Sequence, residues 1–354
     1  MSPERRHGLR AVDARVGDGK VVQPEQLNAH VVPTLDDVAH VAGVSRTTVS
    51  RVVNGGQLVA RATRDRVRDV VAQLGYRPNL AARALVTRRV GTVALIVPES
   101  GERVFADPFF SQAYRGALAA FAGSDAQVVL VVPQPGDVLR YLHSGQVDGA
   151  IITSHHGREL AEALTPAPPV VFIGHPGVDS IPYVDLDQVR AARAATRYLL
   201  DAGASRLGMI TGPLDMSPGA GRLDGFQQEL AEAGVAPAGV ELSDFSMRGG
   251  ESAAQRLIGH CPDVDAIVVG NDLMAVGVMR ALALAGRTVP HDVRVIGFDN
   301  SVIGQQTVPQ LTSMTNPAAE MARIAGGMLR ALLAGESPRW PVIVTSELVV
   351  RGSA

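Results

Sequence analysis

The chain has one cysteine, one tryptophan and one lysine among its 354 residues, and aromatic side chains make up only 4% of it. A lone cysteine, Cys261, excludes a disulfide framework and any zinc site built from several cysteines. It precedes Pro262 with no candidate base nearby, so it reads as a small packing residue. No apolar run reaches the ~18 residues of a membrane span. The charged opening, Met1 to Arg10, lacks the apolar core of a secretory signal. These absences lead us to expect a soluble, cytoplasmic protein without a membrane partner. What is present, 46% hydrophobic and 19% charged residues, suffices for a sizeable core and excludes a wholly disordered chain. The length suggests two or three domains.

The formal net charge is only −2, but it is unevenly spread. Residues 34–90 carry ten arginines against four aspartates, a balance of +6. Residues 1–33 carry +1, which leaves −9 for residues 91–354. A compact basic module on a larger acidic body is the footprint of a nucleic-acid binder with a separate second function. Apart from Lys20 all the basic residues are arginine, which suits bidentate contacts to bases and phosphates.

Residues 1–33 show no sustained periodicity and read as a flexible tail. Order is expected from Thr34, which can cap a helix with Asp37 three residues on. Leu35, Val38, Ala39 and Ala42 share one face of that helix, and Gly43 ends it. Ser45 starts a second helix that Asn54-Gly55-Gly56 stops, and Thr63 is expected to cap a third, through Leu74. Three short helices with a tight turn between the first two describe a helix-turn-helix unit over residues 34–77. Residues 78–90 form a linker too short to be a stable helix without a partner. From Gly91 onward, apolar runs of strand length recur at 93–97, 128–132, 150–153, 170–173, 207–211, 266–269 and 293–298. Helical patterns at 187–202, 221–234, 249–259 and 271–285 lie between some of them. That alternation indicates an α/β body, residues 91–354, with parallel strands covered on both faces and two similar lobes.

The run Thr34-Leu-Asp-Asp-Val-Ala-His-Val-Ala-Gly-Val-Ser-Arg-Thr-Thr-Val-Ser-Arg-Val-Val-Asn-Gly-Gly56, with Leu74-Gly-Tyr-Arg-Pro-Asn79 and Ala82-Arg-Ala-Leu85, closely resembles the LacI/GalR family of bacterial transcription regulators. The resemblance continues through Gly91–Pro98, Val147–Thr153, Gly270-Asn-Asp272, Val295–Asp299 and Glu347–Arg351, covering about residues 34–354. It implies a helix-turn-helix head, a hinge helix and a two-lobed core like the periplasmic binding proteins. It also implies a homodimer that binds double-stranded operator DNA, acts as a repressor and answers to a small-molecule effector. No cofactor, metal or catalytic step is implied.

A recognition helix presents its N-terminal residues to base edges in the major groove. Arg46 and Thr47 occupy that place, with Arg51 further along for a base or adjacent backbone contact; arginine pairs bidentately with guanine, and threonine offers a hydroxyl or a methyl. Thr34, Ser45, Thr48, Ser50 and Asn54 suit phosphate contacts and caps, which position without specifying. Val49 and Val52 read as core. Asn79 closes the basic module's motif and is counted with the DNA contacts. By the resemblance, Leu85 is the hinge leucine that wedges into the minor groove, with Ala82 allowing close approach of the partner's helix.

For the effector, the resemblance points to Phe110, Arg222, Asn271 and Asp299 in a cleft between the lobes. Phe109 is added as a second stacking face, with Phe245 and Asn316 as further candidates. Asp299 ends a strand, where open α/β sheets bind ligands, and Arg222 with Asp299 suits charge-assisted bonds to vicinal hydroxyls. Asp272 is expected to cap the following helix rather than touch ligand. A sugar is the first choice of effector, and a nucleoside or other small metabolite the second. A purine is disfavoured, because 215–218 lacks the groups used by purine-responsive members. The stretch Pro133–Leu142 is short for the family, so a truncated second helix is expected in the first lobe. His175, after a strand, is left between a ligand-facing and a surface position.

Three other signals are set aside. Gly219-Ala-Gly221-Arg-Leu-Asp-Gly225 has the wrong spacing for a dinucleotide loop and stands seven residues from the preceding strand. His155, His156 and Glu159 have zinc-like spacing, but Gly157 interrupts them and they read as a surface loop. No nucleophile–base–acid pattern supports an enzyme, and the basic module argues against a solute-binding protein.

Overall fold

The computed structural model describes residues 33–53, 59–76, 89–134, 136–164 and 168–354. They fall into two compact units, one before position 80 and one after it.

Among the described residues, the first unit holds three helices, α1 (Leu35–Ala42), α2 (Arg46–Val53) and α3 (Arg61–Leu74). Thr34 caps α1 through a reciprocal box with Asp37, satisfying donors that the first turn leaves open. Gly43 ends α1 at φ +63°, a left-handed conformation that glycine adopts without strain. The helices close on Val38, Ala39, Ala42, Val49, Val52, Val67, Val70 and Tyr76. Each fully buried valine there is worth roughly 2 kcal/mol, so α2 is held by its apolar face and leaves its polar face outward. The start of α3 differs from expectation. It begins at Arg61 after Ala60, whose side chain offers no cap, so Thr63 lies inside the first turn.

The second unit runs as β1 (Thr92–Ile96), α4 (Gly101–Ala106), α5 (Pro108–Ala120), β2 (Gln127–Val131), α6 (Val138–His143), β3 (Gly149–Thr153), α7 (Glu159–Glu162), β4 (Val170–Ile173) and β5 (Tyr183–Leu186). It continues as α8 (Gln188–Asp201), β6 (Leu207–Thr211), α9 (Ser217–Glu232), β7 (Gly239–Leu242), α10 (Met247–His260), β8 (Ala266–Val269), α11 (Asp272–Leu284) and β9 (Arg294–Asp299). It ends with α12 (Val302–Gln305), β10 (Thr312–Thr315), α13 (Ala318–Leu333), β11 (Val342–Val344) and β12 (Leu348–Val349). Helix α6 is six residues long, as the short segment before Leu142 requires.

Two six-stranded sheets result, ordered β11-β5-β4-β3-β1-β2 and β12-β10-β9-β8-β6-β7. All strand pairs are parallel except β12 against β10. Each sheet is covered on both faces: the first lobe by clusters centred on Leu95, Phe110 and Leu329 and on Ile152 and Phe172, the second by clusters centred on Ile267 and Met274 and on Phe226 and Phe298. The chain passes between lobes three times, after β5, after β10 and after β11. The C-terminal ends of the central strands therefore converge on one cleft, where a parallel sheet places its ligand-binding loops.

The strands β5, β7, β10, β11 and β12 and the helices α4, α5, α7, α12 and α13 lie outside the runs and patterns read from the sequence. The glycine-rich stretch at 219–225 belongs to helix α9, which starts at Ser217. Its glycines permit close helix packing: a Cβ on Gly221 would sit 2.7 Å from Gln188 Cβ, and one on Gly225 would sit 2.2 Å from Val189 O.

Candidate functional site

In the first unit, burying Val49 and Val52 turns Arg46, Thr47 and Arg51 to solvent along α2. Arg46 meets Asp36 at 3.4 Å, with both side chains about two-thirds exposed (68% and 67%). Such a pair is weakly held and easily exchanged for a base or phosphate. Ser45 Oγ accepts from Thr48 N at 3.2 Å and lies 2.9 Å from Thr48 Oγ1, so both hydroxyls help start the helix. Thr34 is likewise engaged with Asp37, its hydroxyl donating to Oδ2 at 2.7 Å. Ser50 is part-buried. Asn54, Asn79 and Leu85 lie outside the described residues.

In the second unit, one cleft is lined by all seven candidates, Phe109, Phe110, Phe245, Arg222, Asn271, Asp299 and Asn316. They come from both lobes. Their settings differ. Phe110 is 2% exposed and belongs to the first lobe's core, while Phe109 meets it edge-on at 5.4 Å and is partly open. Of the two rings, Phe109 is the one partly open at the cleft. Asn271 caps α11, its Oδ1 accepting from Met274 N at 2.9 Å, and its Nδ2 donates to Phe245 O at 3.1 Å. This corrects the expectation for Asp272. Asp272 follows the cap and turns away, accepting from Ser301 N and Ser313 Oγ, each at 2.6 Å.

Arg222 is buried. Its Nε donates to Gln188 Oε1 at 2.9 Å, its Nη1 donates to Gly270 O, and its guanidinium lies 4.4 Å from the centre of the Phe298 ring. Burial lowers its pKa, against the charges of Asp299, Asp185, Asp272 and Asp107. Asp299 sits at φ +101° and is followed by Asn300 at φ +46°, a strained pair that ends β9. The strain is held by Arg351, whose Nη2 donates to Asn300 Oδ1 at 2.5 Å, and by Ser313, whose Oγ accepts from Asn300 N at 3.0 Å. Asn316 Nδ2 donates to Asp299 Oδ1 at 2.9 Å. Burial raises the Asp299 pKa, opposed by Arg222, Asn316 and Arg103.

The cleft also holds residues that the motifs had not indicated. Asp107 caps α5 by accepting from Phe109 N at 3.0 Å, and burial with the charge of Asp299 pushes its pKa up to about 7. The Asp107-Pro108 pair, a capping residue before a helix-opening proline, was a legible signal for it. Asp185 accepts from His175 N, Leu186 N and Gln188 Nε2, and so joins β5 to the Gln188–Arg222 bond. Arg103 forms an ion pair with Glu99 at 2.5 Å and lies 5.2 Å from the centre of the Phe245 ring.

His155 overturns part of the surface-loop reading. It is 5% exposed and lines the cleft, and its Nε2 lies 3.0 Å from His175 O. That bond selects the tautomer with hydrogen on Nε2, leaving Nδ1 as an acceptor. Burial lowers its pKa, so it is neutral near pH 7. His156 and Glu159 are exposed. Among the described residues, no group of three or more His, Cys, Asp or Glu is placed to hold a metal. His175 turns toward Asp179 at 3.4 Å and accepts from Gly177 N, while Gly174 lines the cleft. Among the described residues five buried side-chain polar atoms have no partner, Ser243 Oγ and Arg287 Nη1 away from the cleft, and Arg103 Nε, His155 Nδ1 and Asn316 Oδ1. The last three belong to cleft residues.

Residues 34–79 match the model of bacterial regulatory proteins of the lacI family, and residues 196–354 match that of a periplasmic binding protein-like domain. The chain is 39% identical over 334 residues to the HTH-type transcriptional regulator CelR of Thermobifida fusca, covering 91% of this chain and 98% of that one. It is 32% identical over 304 residues to the ribose operon repressor of Escherichia coli K12, covering 82% and 90%. The fold superposes on a CelR–cellobiose complex with a TM-score of 0.71, at 35% identity over 91% of this chain and all (100%) of that one. It superposes on the Lac repressor dimer bound to operator and the anti-inducer ONPF with a TM-score of 0.81, at 26% identity over 91% and 98%. Among the described residues, no helix is long and apolar enough to cross a membrane.

Proposed function

This chain belongs to the lacI family of bacterial regulatory proteins and is a DNA-binding transcriptional regulator, and from that premise we propose that it is a homodimeric repressor acting in the cytoplasm under control of a sugar bound in the cleft. The observation that carries the effector assignment is the set of three unpartnered buried polar atoms among the residues of one cleft. Buried polar groups ordinarily find partners. An acceptor at His155, a second at Asn316 and a donor at Arg103 match hydroxyls, each of which can donate and accept. Phe109 and Phe245 supply apolar faces for a sugar ring. The solved complex of a 39%-identical relative's namesake with cellobiose favours a sugar over a nucleoside.

Within this reading, residues 34–77 bind DNA, 78–90 form the hinge, and 91–354 sense the effector and dimerise. Arg46 and Thr47 read bases, and Arg51 meets a base or the adjacent backbone. Thr34, Ser45, Thr48, Ser50, Asn54 and Asn79 position the head, and Leu85 wedges the minor groove. The effector is held by Phe109, Phe110, Phe245, Arg222, Asn271, Asp299 and Asn316. Arg222 and Asn271 act mainly by fixing the site, since their bonds run to Gln188, Gly270, Phe245 and Met274. The protein carries out no reaction; its output is a change in operator affinity, driven by the effector's preference for one of two arrangements of the lobes.

The test is selection from a randomised palindromic DNA pool at two salt concentrations, with and without ribose, glucose or cellobiose. A repressor of this kind enriches one symmetric site, binds it less tightly as salt rises, and changes affinity with one of the sugars. Absence of an enriched site sinks the DNA reading. An enriched site indifferent to every sugar sinks the effector reading.

A further inference from the structure

The cleft contains two guanidinium groups, and both are already engaged. Arg222 is spent on Gln188, Gly270 and the face of Phe298. Arg103 is paired with Glu99 at 2.5 Å, where the two side chains are only 14% and 9% exposed. Glu99 is further fixed by Ser154, whose hydroxyl donates to the same oxygen at 2.7 Å. Against these cations stand Glu99 and three carboxylates that line the cleft, Asp107, Asp185 and Asp299. His155 adds no positive charge, because burial favours its neutral form. The three carboxyl groups that line the cleft outnumber its two guanidinium groups, and burial, then the charge of Asp299, pushes the pKa of Asp107 up to about 7.

A phosphate or carboxylate entering this cleft loses its hydration and meets no unpaired cation, a cost that nothing there offsets. A hydroxyl can both donate and accept, as Arg103 Nε, His155 Nδ1 and Asn316 Oδ1 require, each of them buried and without a partner among the described residues. We propose that the cleft selects an uncharged polyhydroxyl effector over its phosphorylated or carboxylated counterpart, with Arg103 donating to a hydroxyl through Nε while Glu99 cancels its charge. The inference rests on the carbohydrate reading above and adds the charge class and the pair of residues that sets it.

The experiment measures binding to the full chain, by calorimetry and thermal shift, for matched probes: ribose and ribose 5-phosphate, glucose and glucose 6-phosphate, cellobiose and cellobionate. The expected result is that one neutral sugar binds and its anionic counterpart binds at least about tenfold more weakly. An anionic probe that binds as tightly as its neutral partner overturns the proposal. Absence of binding by every probe fails the carbohydrate reading itself, which is a distinguishable result and removes the inference with it. Glu99→Gln supplies the second measurement: freeing the charge of Arg103 should narrow the discrimination severalfold. A folded Glu99→Gln protein that discriminates as strongly as the parent refutes the role of the Arg103–Glu99 pair.

Discussion

His156 Nδ1 lies 3.0 Å from Asp215 Oδ2, joining the first lobe to the second beside the cleft. The neighbouring backbone repeats the link, Gly157 N donating to Asp215 O at 2.8 Å, and the other ring nitrogen faces Glu99 at 3.5 Å. The two side chains are about half exposed (43% and 55%). A contact so open to solvent is worth up to about 1 kcal/mol, enough to bias lobe closure and too little to hold the fold. His156→Ala should leave the unfolding midpoint nearly unchanged and speed amide exchange at Gly157 about two- to fivefold. Exchange at the parent rate would show that the side-chain contact contributes nothing to closure.

Gly212 shapes the other side of the site. A Cβ at this position would lie 2.0 Å from Phe245 Cζ, well inside contact distance. Phe245 has little freedom to yield: its backbone sits at φ +64°, and its carbonyl is fixed by Asn271 Nδ2. Gly212→Ala should therefore destabilise the core by about 1–3 kcal/mol through overpacking and displace the ring that faces Arg103. Urea unfolding measures the first effect. A variant as stable as the parent would mean that the loop after β6 can relax.

Asp107 makes part of the stability depend on pH, with a sign that follows from its environment. Burial and Asp299 raise its pKa from an ordinary 3.8 to about 7 in the folded chain. Between those values the folded state keeps a proton that the unfolded chain has released. The stability linked to Asp107 is thus complete below 3.8, falls as pH rises through the window, and stays lost above about 7. Asp107→Asn keeps a helix-capping side chain and removes the titration. Its midpoint minus that of the parent should grow more positive between pH 4.5 and pH 8, a range that spans most of the window about the raised value. His155 runs the opposite way, its contribution being lost as pH falls below an ordinary 6.5, so the difference between the two proteins is the readout. A difference independent of pH would refute the shifted carboxyl.

What the sequence revealed, and what it concealed, divides on physical lines. The box between Thr34 and Asp37 and the left-handed Gly43 are local chemistry, settled within a few residues. The strands β1, β3, β4, β6 and β8 are apolar runs because helices cover both of their faces. By contrast, β10 reads Thr-Ser-Met-Thr and is still buried at its first three positions. Its polar atoms are satisfied from afar, Ser313 by Asp272 and Thr312 N by Ser353. In β5, Asp185 is buried because it ties together His175, Leu186 and Gln188. Neither strand has an apolar period to detect. The choice between Asn271 and Asp272 as cap turned on the backbone entering α11, since both residue types can cap. The depth of His155 depends on its packing against Phe172, a contact between separate strand ends. The motifs led to seven residues that share one cleft; Asp107 carried only the local signal of a cap before Pro108, and the places of His155 and Asp185 emerged only when the strand ends were brought together.

Arg46 allows the DNA reading to be tested at a single side chain. It opens α2, and its guanidinium is two-thirds exposed (68%) with the equally open Asp36 at 3.4 Å. Val49 and Val52 lock the helix orientation from the opposite face, so removing Arg46 should not disturb the head. A guanidinium presented in this way can pair bidentately with guanine, a contact worth about 1–3 kcal/mol against a wrong base. A residue that meets only phosphate weakens all sequences alike and lowers the salt slope. Arg46→Ala should therefore relax preference at one base position in each half-site, and leave preference elsewhere in the site intact. Selection from the same palindromic pool with parent and variant resolves the two behaviours. Uniform weakening across all sequences would assign Arg46 to the backbone and leave base reading to Thr47 and Arg51.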